Sequence, residues 1–161
     1  MKIKISLVII GILLISPLAL TSCGNNATMD VLNKFIAAED KVFSTGDGAD
    51  LMAVEDANIV IHMMSFPDVK GNQAHVDAVK GIVSGAAGPI THTWSEKTAA
   101  GDIASVRWVE TGKVGGKDVS YQGAYFLKVK NGKIIEAWLV SDMLTYFLAA
   151  GIVQYTPTPA Q

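Results

Sequence analysis

The strongest candidate for acid–base chemistry in this 161-residue sequence is Asp142, which follows the apolar segment 133–141. If that segment is a strand, its side chains alternate between two faces, and Trp138 and Asp142 share one of them. An indole that keeps water away from a carboxyl group raises the pKa of the acid toward neutral pH, where proton transfer is efficient. The alternative is that Asp142 caps a helix beginning at Met143, a position that favours Asp. The two roles are compatible.

Two of the three histidines extend this set of candidates. His62 ends a short β-like segment, and its imidazole could act as a base or hydrogen-bond donor in a pocket, or simply be a satisfied residue at a sheet edge. His92 shares one face of the segment 90–98 with Trp94 and Glu96, by the alternation of a strand. That face suits a pocket wall and a dimer surface equally well.

The remaining polar motifs point away from metals and cofactors. His75 follows a helical pattern with charged neighbours, and we expect it to face solvent. The histidines have no i, i+4 spacing and the chain has one cysteine, so no metal site is predicted. The glycines of segment 112–117 are too close together for a phosphate-binding loop, and this spacing predicts a hairpin turn instead. No cofactor is expected.

The first 23 residues have the features of a bacterial lipoprotein signal. Lys2 and Lys4 precede the apolar stretch 5–20, which is shorter than the ~20 consecutive apolar residues of a membrane-spanning helix. The residues Leu-Thr-Ser-Cys at 20–23 resemble the lipobox, in which the cysteine receives a diacylglyceryl group. We predict a signal peptide over 1–22, then lipidated Cys23 with a tether over 23–29. The protein is then exported and anchored to a bacterial membrane, periplasmic or on the outer surface.

The composition limits the classes of partner. Without residues 1–22 the chain keeps 139 residues, enough for one domain, with eleven basic and fifteen acidic side chains. An acidic balance with a pI near 5.9 lacks the basic surface on which nucleic-acid binding depends, so no nucleic-acid partner is expected.

The hydrophobic pattern predicts helices first and strands afterwards, which is the order of an α+β fold. The Asn131–Gly132 dipeptide is a strong hairpin signal between the last two strands. A short closing helix is expected over 143–150, and a flexible tail over 153–161. The predicted helices are 29–45 and 72–85, and the predicted strands are 56–63, 90–98, 102–113, 117–130 and 133–142.

Several segments together resemble the SnoaL-like branch of the NTF2-like superfamily. They are 110–113 (ETGK), 119–123 (VSYQG) and 131–138 (NGKIIEAW), followed by Asp142 and the Ala-Ala-Gly at 149–151, in the order of that family. The resemblance covers residues 30–152. It implies a cone-shaped half-barrel in which a strongly curved, mostly antiparallel sheet wraps around helices and encloses an apolar pocket. Dimers would form through the outer face of the sheet.

The resemblance also implies roles for two residues. Asp142 corresponds to the general acid/base of the polyketide-cyclase members, which close a ring by an intramolecular aldol reaction. Lys128 occupies a strand position that often lines the same cavity. The sequence departs from the family at 113–117 (KVGGK), and its export signal is unlike the cytoplasmic cyclases.

Two main functions follow as hypotheses, beside a third in which the domain is only an assembly adaptor whose sheet face docks a partner. The first is a lipid-anchored domain, expected to be a homodimer, that binds a small, mostly apolar ligand or a partner in its cone without turnover. Its pocket would involve Trp138, Lys128, Trp94 and His92. The second is a cyclase-, isomerase- or dehydratase-like enzyme with Asp142 as acid/base and His62 or Lys128 orienting the substrate.

Overall fold

The computed structural model describes residues 21–64, 66–86 and 89–154. Within them, four helices and six strands follow one another, with most strands in the second half of the chain. The helices are α1 (Thr21–Thr45), α2 (Ala49–Val54), α3 (Asn72–Gly85) and α4 (Met143–Ala150). The strands are β1 (Glu55–Met63), β2 (Val69–Lys70), β3 (Thr91–Ala100), β4 (Ile103–Val114), β5 (Lys117–Lys130) and β6 (Lys133–Ser141).

The strands form one curved, unclosed sheet in the order β2-β1-β6-β5-β4-β3. All neighbouring strands are antiparallel except β1 and β6, which run parallel. The turn between β5 and β6 has positive φ angles at both Asn131 (52°) and Gly132 (74°), the backbone of a tight hairpin that matches the strand twist. The predicted α+β fold with a curved, mostly antiparallel sheet is confirmed.

The core lies between the inner face of the sheet and the helices. Residues of α1 at three- and four-residue spacing, such as Leu32 and Phe35, are fully buried, and Phe35 meets the ring of Tyr125 on β5 edge to face at 5.0 Å. A side chain at Gly123 would lie 2.4 Å from the Trp108 indole. The missing side chain therefore lets Trp108 of β4 lie across β5 inside the cone.

The sheet has two ends that differ in their turns. We call the base the end that carries the β3–β4 turn at Gly101 and the β5–β6 turn at Asn131, and the mouth the end that carries the β4–β5 turn at Gly115. At the base, Thr28 of α1 donates a hydrogen bond from Oγ1 to the Gly101 carbonyl at 2.7 Å. From there α1 runs toward the mouth.

The predicted strands agree with the structure to within two residues at each end, whereas helix α1 begins at Thr21, eight residues before the predicted start. The two-residue strand β2 was not predicted, because so short a strand has no periodicity. Residues 1–20 and 155–161 lie outside the described residues, as does the side chain of Cys23, so the signal peptide, the lipidation and most of the predicted tail remain predictions. Among the helices described, none combines the length and apolar character needed to cross a bilayer.

Candidate functional site

A largely enclosed cavity of about 40 Å³ lies inside the cone near the mouth. Since one water molecule needs roughly 10–15 Å³ of such space, the cavity has room for about three. Most of its wall is apolar or aromatic, and the helices α1, α3 and α4 contribute together with five strands. The lining residues are Phe43, Met63, Val79, Ile82, His92, Trp108, Glu110, Tyr121, Tyr125, Leu139, Ser141 and Met143.

One wall of the cavity carries a chain of polar side chains. His92 Nε2 lies 3.2 Å from Glu110 Oε2, and the Tyr121 hydroxyl donates a short hydrogen bond to Glu110 Oε1. On its other side, His92 Nδ1 lies 3.3 Å from Asp40 Oδ1 of α1, which is half exposed. The sheet register explains the chain, because His92 is paired with Glu110 and Glu110 with Tyr121 on adjacent strands. Polar groups thus run from solvent to the cavity.

The environment sets the charges along this chain. Burial opposes protonation of His92, but the hydrogen bond and the charge of Glu110 outweigh it and raise the pKa of the imidazole. Burial and the adjacent Glu110 raise the pKa of Tyr121, so its phenol keeps the proton. The wall therefore presents a histidine whose protonated form Glu110 stabilises, together with the Glu110 carboxyl group and a neutral phenol. This chain is suited to proton transfer or to binding one polar group of a ligand.

A second buried polar cluster lies between α1, α3 and β1. His75 Nδ1 is 2.7 Å from Glu55 Oε1, and His75 Nε2 is 3.5 Å from Glu39 Oε1. Burial raises the pKa of Glu39 to about 7. The expectation that His75 faces solvent is wrong, because His75 shares the buried face of α3 with Val76 and Val79.

His62, Trp138 and Lys128 come together, but on the outer face of the sheet. The neighbours of Trp138 on β6, Ala137 and Leu139, face the interior, and the Trp138 ring stacks on the His62 imidazole at 5.5 Å. His62 Nε2 lies 3.0 Å from Glu136 Oε1, whose other oxygen lies 3.8 Å from Lys128 Nζ.

A loop carboxylate completes this outer-face group. His62 Nδ1 lies 3.1 Å from Asp68 Oδ1. The hydrogen bonds to Glu136 and Asp68 raise the pKa of His62. None of these side chains lines the interior cavity.

Asp142 caps α4 on the outer side of the sheet. Its carboxylate accepts hydrogen bonds from the Thr145 amide at 3.3 Å and from the Thr145 hydroxyl at 2.6 Å. It also lines an open groove of about 780 Å³ on the outer face, together with Arg107, Phe126 and Val140. Trp138 and Asp142 do alternate onto one face, but that face is turned away from the cavity.

Strand β3 holds His92 and Trp94 on the inner side and Glu96 on the outer side. The register is irregular between Ser95 and Thr98, and Glu96 has a φ of 52°. The Glu96 carboxylate consequently binds Arg107 on the outer face at 3.1 Å. The expectation that His92, Trp94 and Glu96 share one face is wrong at Glu96. Trp94 donates from Nε1 to Asp40 at 2.9 Å.

The sequence analysis missed the roles of Glu39, Glu110 and Tyr121. A signal existed for Glu39, because it continues the apolar stripe of Phe35 and Val42 along α1 and must therefore be buried. The pairing of Glu110 with His92 requires the register of β3 on β4, which the sequence pattern leaves open. Within the described residues, no group of three or more His, Cys, Asp or Glu is arranged to hold a metal ion.

Comparison with known proteins gives one family and many similar folds. The SnoaL-like domain family matches residues 34–137. A candidate SnoaL-like polyketide cyclase from a Jannaschia species is 15% identical, with a TM-score of 0.66 over 81% of this chain and 96% of that one. An NTF2-like protein from Anabaena variabilis is 13% identical, with a TM-score of 0.64 over 72% and 90%.

An LEH-like epoxide hydrolase from M. tuberculosis is 12% identical, with a TM-score of 0.58 over 80% of this chain and 92% of that one. No curated protein matches the sequence. At these identities the structural likeness concerns the fold alone.

Proposed function

Because this chain belongs to the SnoaL-like family, we propose that it binds a small, mostly apolar ligand inside its cone. The supporting observation is the interior cavity, in which an apolar and aromatic wall meets the polar chain of His92, Glu110 and Tyr121 at one side. Ligand sites commonly combine an apolar lining with a few placed polar groups in this way. The ligand would place its apolar body against Trp108 and Tyr125 and one hydroxyl or carbonyl toward the polar chain.

The size of the cavity limits how such a ligand enters. A space that holds about three waters admits only a very small molecule unless the mouth opens. Helix α4 covers this end, where Met143 lines the cavity and Tyr146 meets Tyr121 edge to face at 5.6 Å. A larger ligand therefore requires α4 to move outward, away from Tyr121 of β5, against which Tyr146 packs.

An enzyme is the second candidate, and the hydrogen-bonded chain of His92, Glu110 and Tyr121 at the cavity wall favours it. Such a chain can exchange a proton with a bound substrate, and a positioned acid or base contributes typically 10²–10⁴-fold to a rate. The alternative with Asp142 as the acid/base would instead use the groove on the outer face, which neither His62 nor Lys128 lines.

The proposal includes the membrane anchor and a dimer. Cys23, at the end of the lipobox-like segment, would carry the lipid that holds the exported protein on a bacterial membrane. Phe126, Trp138 and Val140 expose large apolar surface on the outer face, which a second copy would cover. Sedimentation at increasing concentration tests the dimer, and Phe126→Lys should shift the protein to the monomer.

The ligand proposal is tested by what copurifies with the protein. Organic extracts of the purified chain should contain one enriched small molecule by mass spectrometry. Val79→Phe, which adds a ring at the cavity wall, should abolish that enrichment, and Asp142→Asn should retain it as a matched control outside the cavity. Absence of any enriched molecule, together with no binding of an apolar naphthalene dye, would contradict ligand binding. Tyr121→Phe and His92→Gln then distinguish binding from turnover, since an acid/base role predicts loss of rate with the ligand still bound.

A further inference from the structure

The first residue of α1 that is fixed to the sheet lies close to the proposed lipid anchor. Thr28 is buried and donates its hydroxyl hydrogen bond to the Gly101 carbonyl at the base, and Val31 and Leu32 are buried just after it. Thr28 lies only five positions after Cys23, with four residues between them. A lipid on Cys23 would therefore be attached almost directly to the folded domain. This inference rests on the anchoring part of the proposed function.

The length of that connection limits where the domain can sit. A separation of five positions spans about 8 Å as the helix that α1 forms here and at most about 17 Å if fully extended. The base would therefore stay at the level of the lipid headgroups in either case. A longer, flexible tether would have let the domain turn freely, but this one does not.

The cavity lies at the opposite end of the molecule. From Thr28 to Phe43, which lines the cavity, α1 rises about 22 Å. Strand β5 runs from Lys117 at the mouth to Lys130 at the base, about 40 Å along the strand. An anchor at the base would consequently hold the mouth away from the bilayer.

Lysines and carboxylates both lie at the base. The Lys97 ammonium lies 3.3 Å from Asn33 of α1, and Lys34 and Lys133 line a cleft together with Asp50. Each lysine near an anionic lipid surface contributes about 1 kcal/mol of attraction, and the aspartates at this end offset it. The charged residues at this end include Lys34, Lys97, Lys130, Lys133, Asp30, Asp50, Asp56 and Asp102. The orientation therefore depends on the short connection between Cys23 and Thr28.

We infer that the base docks on the phospholipid surface and that the cavity mouth opens toward the aqueous compartment. The short connection at Thr28 fixes which end approaches the bilayer. The ligand of the cavity then arrives from water and not by lateral diffusion out of the lipid. The partner of the base surface is the headgroup layer itself.

Two variants on one strand test this orientation. Lys130→Cys and Lys117→Cys remove the same exposed side chain at opposite ends of β5. The full chain is expressed with its signal, purified, reconstituted into phosphatidylglycerol-containing vesicles and labelled with a thiol-reactive NBD dye. The wild type is the labelling blank, because its only cysteine is the one that is acylated. Lipids with a nitroxide on the headgroup then quench any dye within contact distance.

The expected result is several-fold stronger quenching at position 130 than at position 117. Equal quenching at the two positions, or stronger quenching at 117, would overturn the inference. If the wild type takes up the dye and remains in the soluble fraction, Cys23 carries no lipid, and both the anchor and the orientation are refuted. That outcome leaves the test of ligand copurification unaffected, so failure of the anchor and failure of ligand binding are distinguishable.

Discussion

Two histidine–carboxylate pairs of nearly equal geometry occupy opposite sides of the sheet. His92 Nε2 lies 3.2 Å from Glu110 inside the cone, and His62 Nε2 lies 3.0 Å from Glu136 on the outer face. The inner side chains are 5% and 4% exposed, whereas the outer ones are 34% and 32% exposed. The two distances are similar, so any difference in what the two pairs contribute to stability must come from burial.

Burial changes what happens when one partner is removed. At the outer pair, water replaces the lost carboxylate, and the charged groups keep most of their solvation. At the inner pair, a charge or a hydroxyl would be left without a partner in a region of low polarity. The same pair of residue types is thus dispensable in one place and required in the other.

Removing the inner carboxylate should have the largest effect. Glu110→Leu would leave both His92 and the Tyr121 hydroxyl without their partner inside the cone. We expect the free energy of unfolding to fall by roughly 3 kcal/mol, measured by denaturant titration. The isosteric Glu110→Gln should lose less, because its amide can still bond both neighbours. A loss under about 1 kcal/mol for the leucine variant would show that the inner pair resembles the outer one.

The second prediction concerns pH and the buried cluster of Glu39 and His75. Burial raises the pKa of Glu39 from 4.5 to about 7. For His75, burial opposes protonation, but Glu55 and Glu39 raise the pKa above its usual 6.5. Both groups hold protons more tightly in the folded than in the unfolded chain. Their contribution to the free energy of unfolding is therefore complete at low pH and is lost as pH rises through the pKa values of the folded state.

The window for Glu39 thus runs from about pH 4.5 to about pH 7, and that for His75 begins near 6.5 and extends above it. Between about pH 5 and pH 8 the wild type should lose roughly 2 kcal/mol relative to Glu39→Gln. Melting temperatures of the two proteins across this range measure the difference. Parallel pH profiles would mean that Glu39 has an ordinary pKa.

The third prediction separates the cap from catalysis at Asp142. Asp142→Ala should cost about 1 kcal/mol, because the Thr145 amide at the start of α4 loses its acceptor. Asp142→Asn keeps an acceptor and should be almost neutral in thermal melts. If the asparagine variant is as stable as the wild type but has lost an activity found for the protein, Asp142 is the acid/base of the outer groove.

The smallest effect is expected at the outer pair. Glu136→Leu should leave the melting temperature within experimental error, because the His62 group is open to solvent. The pKa of His62, followed by NMR titration, should move down toward its ordinary value, with Asp68 still holding it partly raised. A clear drop in melting temperature would remove the contrast with Glu110.

Most of the secondary structure was predictable from the sequence. Alternating apolar residues and the Asn131–Gly132 turn define β5 and β6 locally, so their ends were correct within one residue. The start of α1 was placed too late, because residues 21–28 carry no apolar repeat that would indicate a helix. The Thr28 contact with Gly101, 73 residues away, is invisible in a local pattern.

The candidate site was harder to predict, because it depends on register and on curvature. His92 was recognised, but its partner Glu110 becomes visible only when β3 is aligned with β4. The register shift near Glu96 moves that side chain to the other face of the sheet, and no glycine in the sequence indicates it. For Trp138 and Asp142, alternation predicted the shared face correctly, and only the packing of the helices decides that this face is the outer one.

The parallel pairing of β1 with β6 affects the order in which the strands of the sheet form during folding. Glu55 aligns with Ile134, 79 residues later, whereas β3 to β6 are joined through tight hairpins. Hairpins close in microseconds, but contacts between distant segments must overcome the entropy of a long loop and form slowly. The four-stranded meander can therefore assemble first, with β1 and the helices it connects added last. Until then the apolar inner face of the meander stays exposed to water and can associate with other unfolded chains.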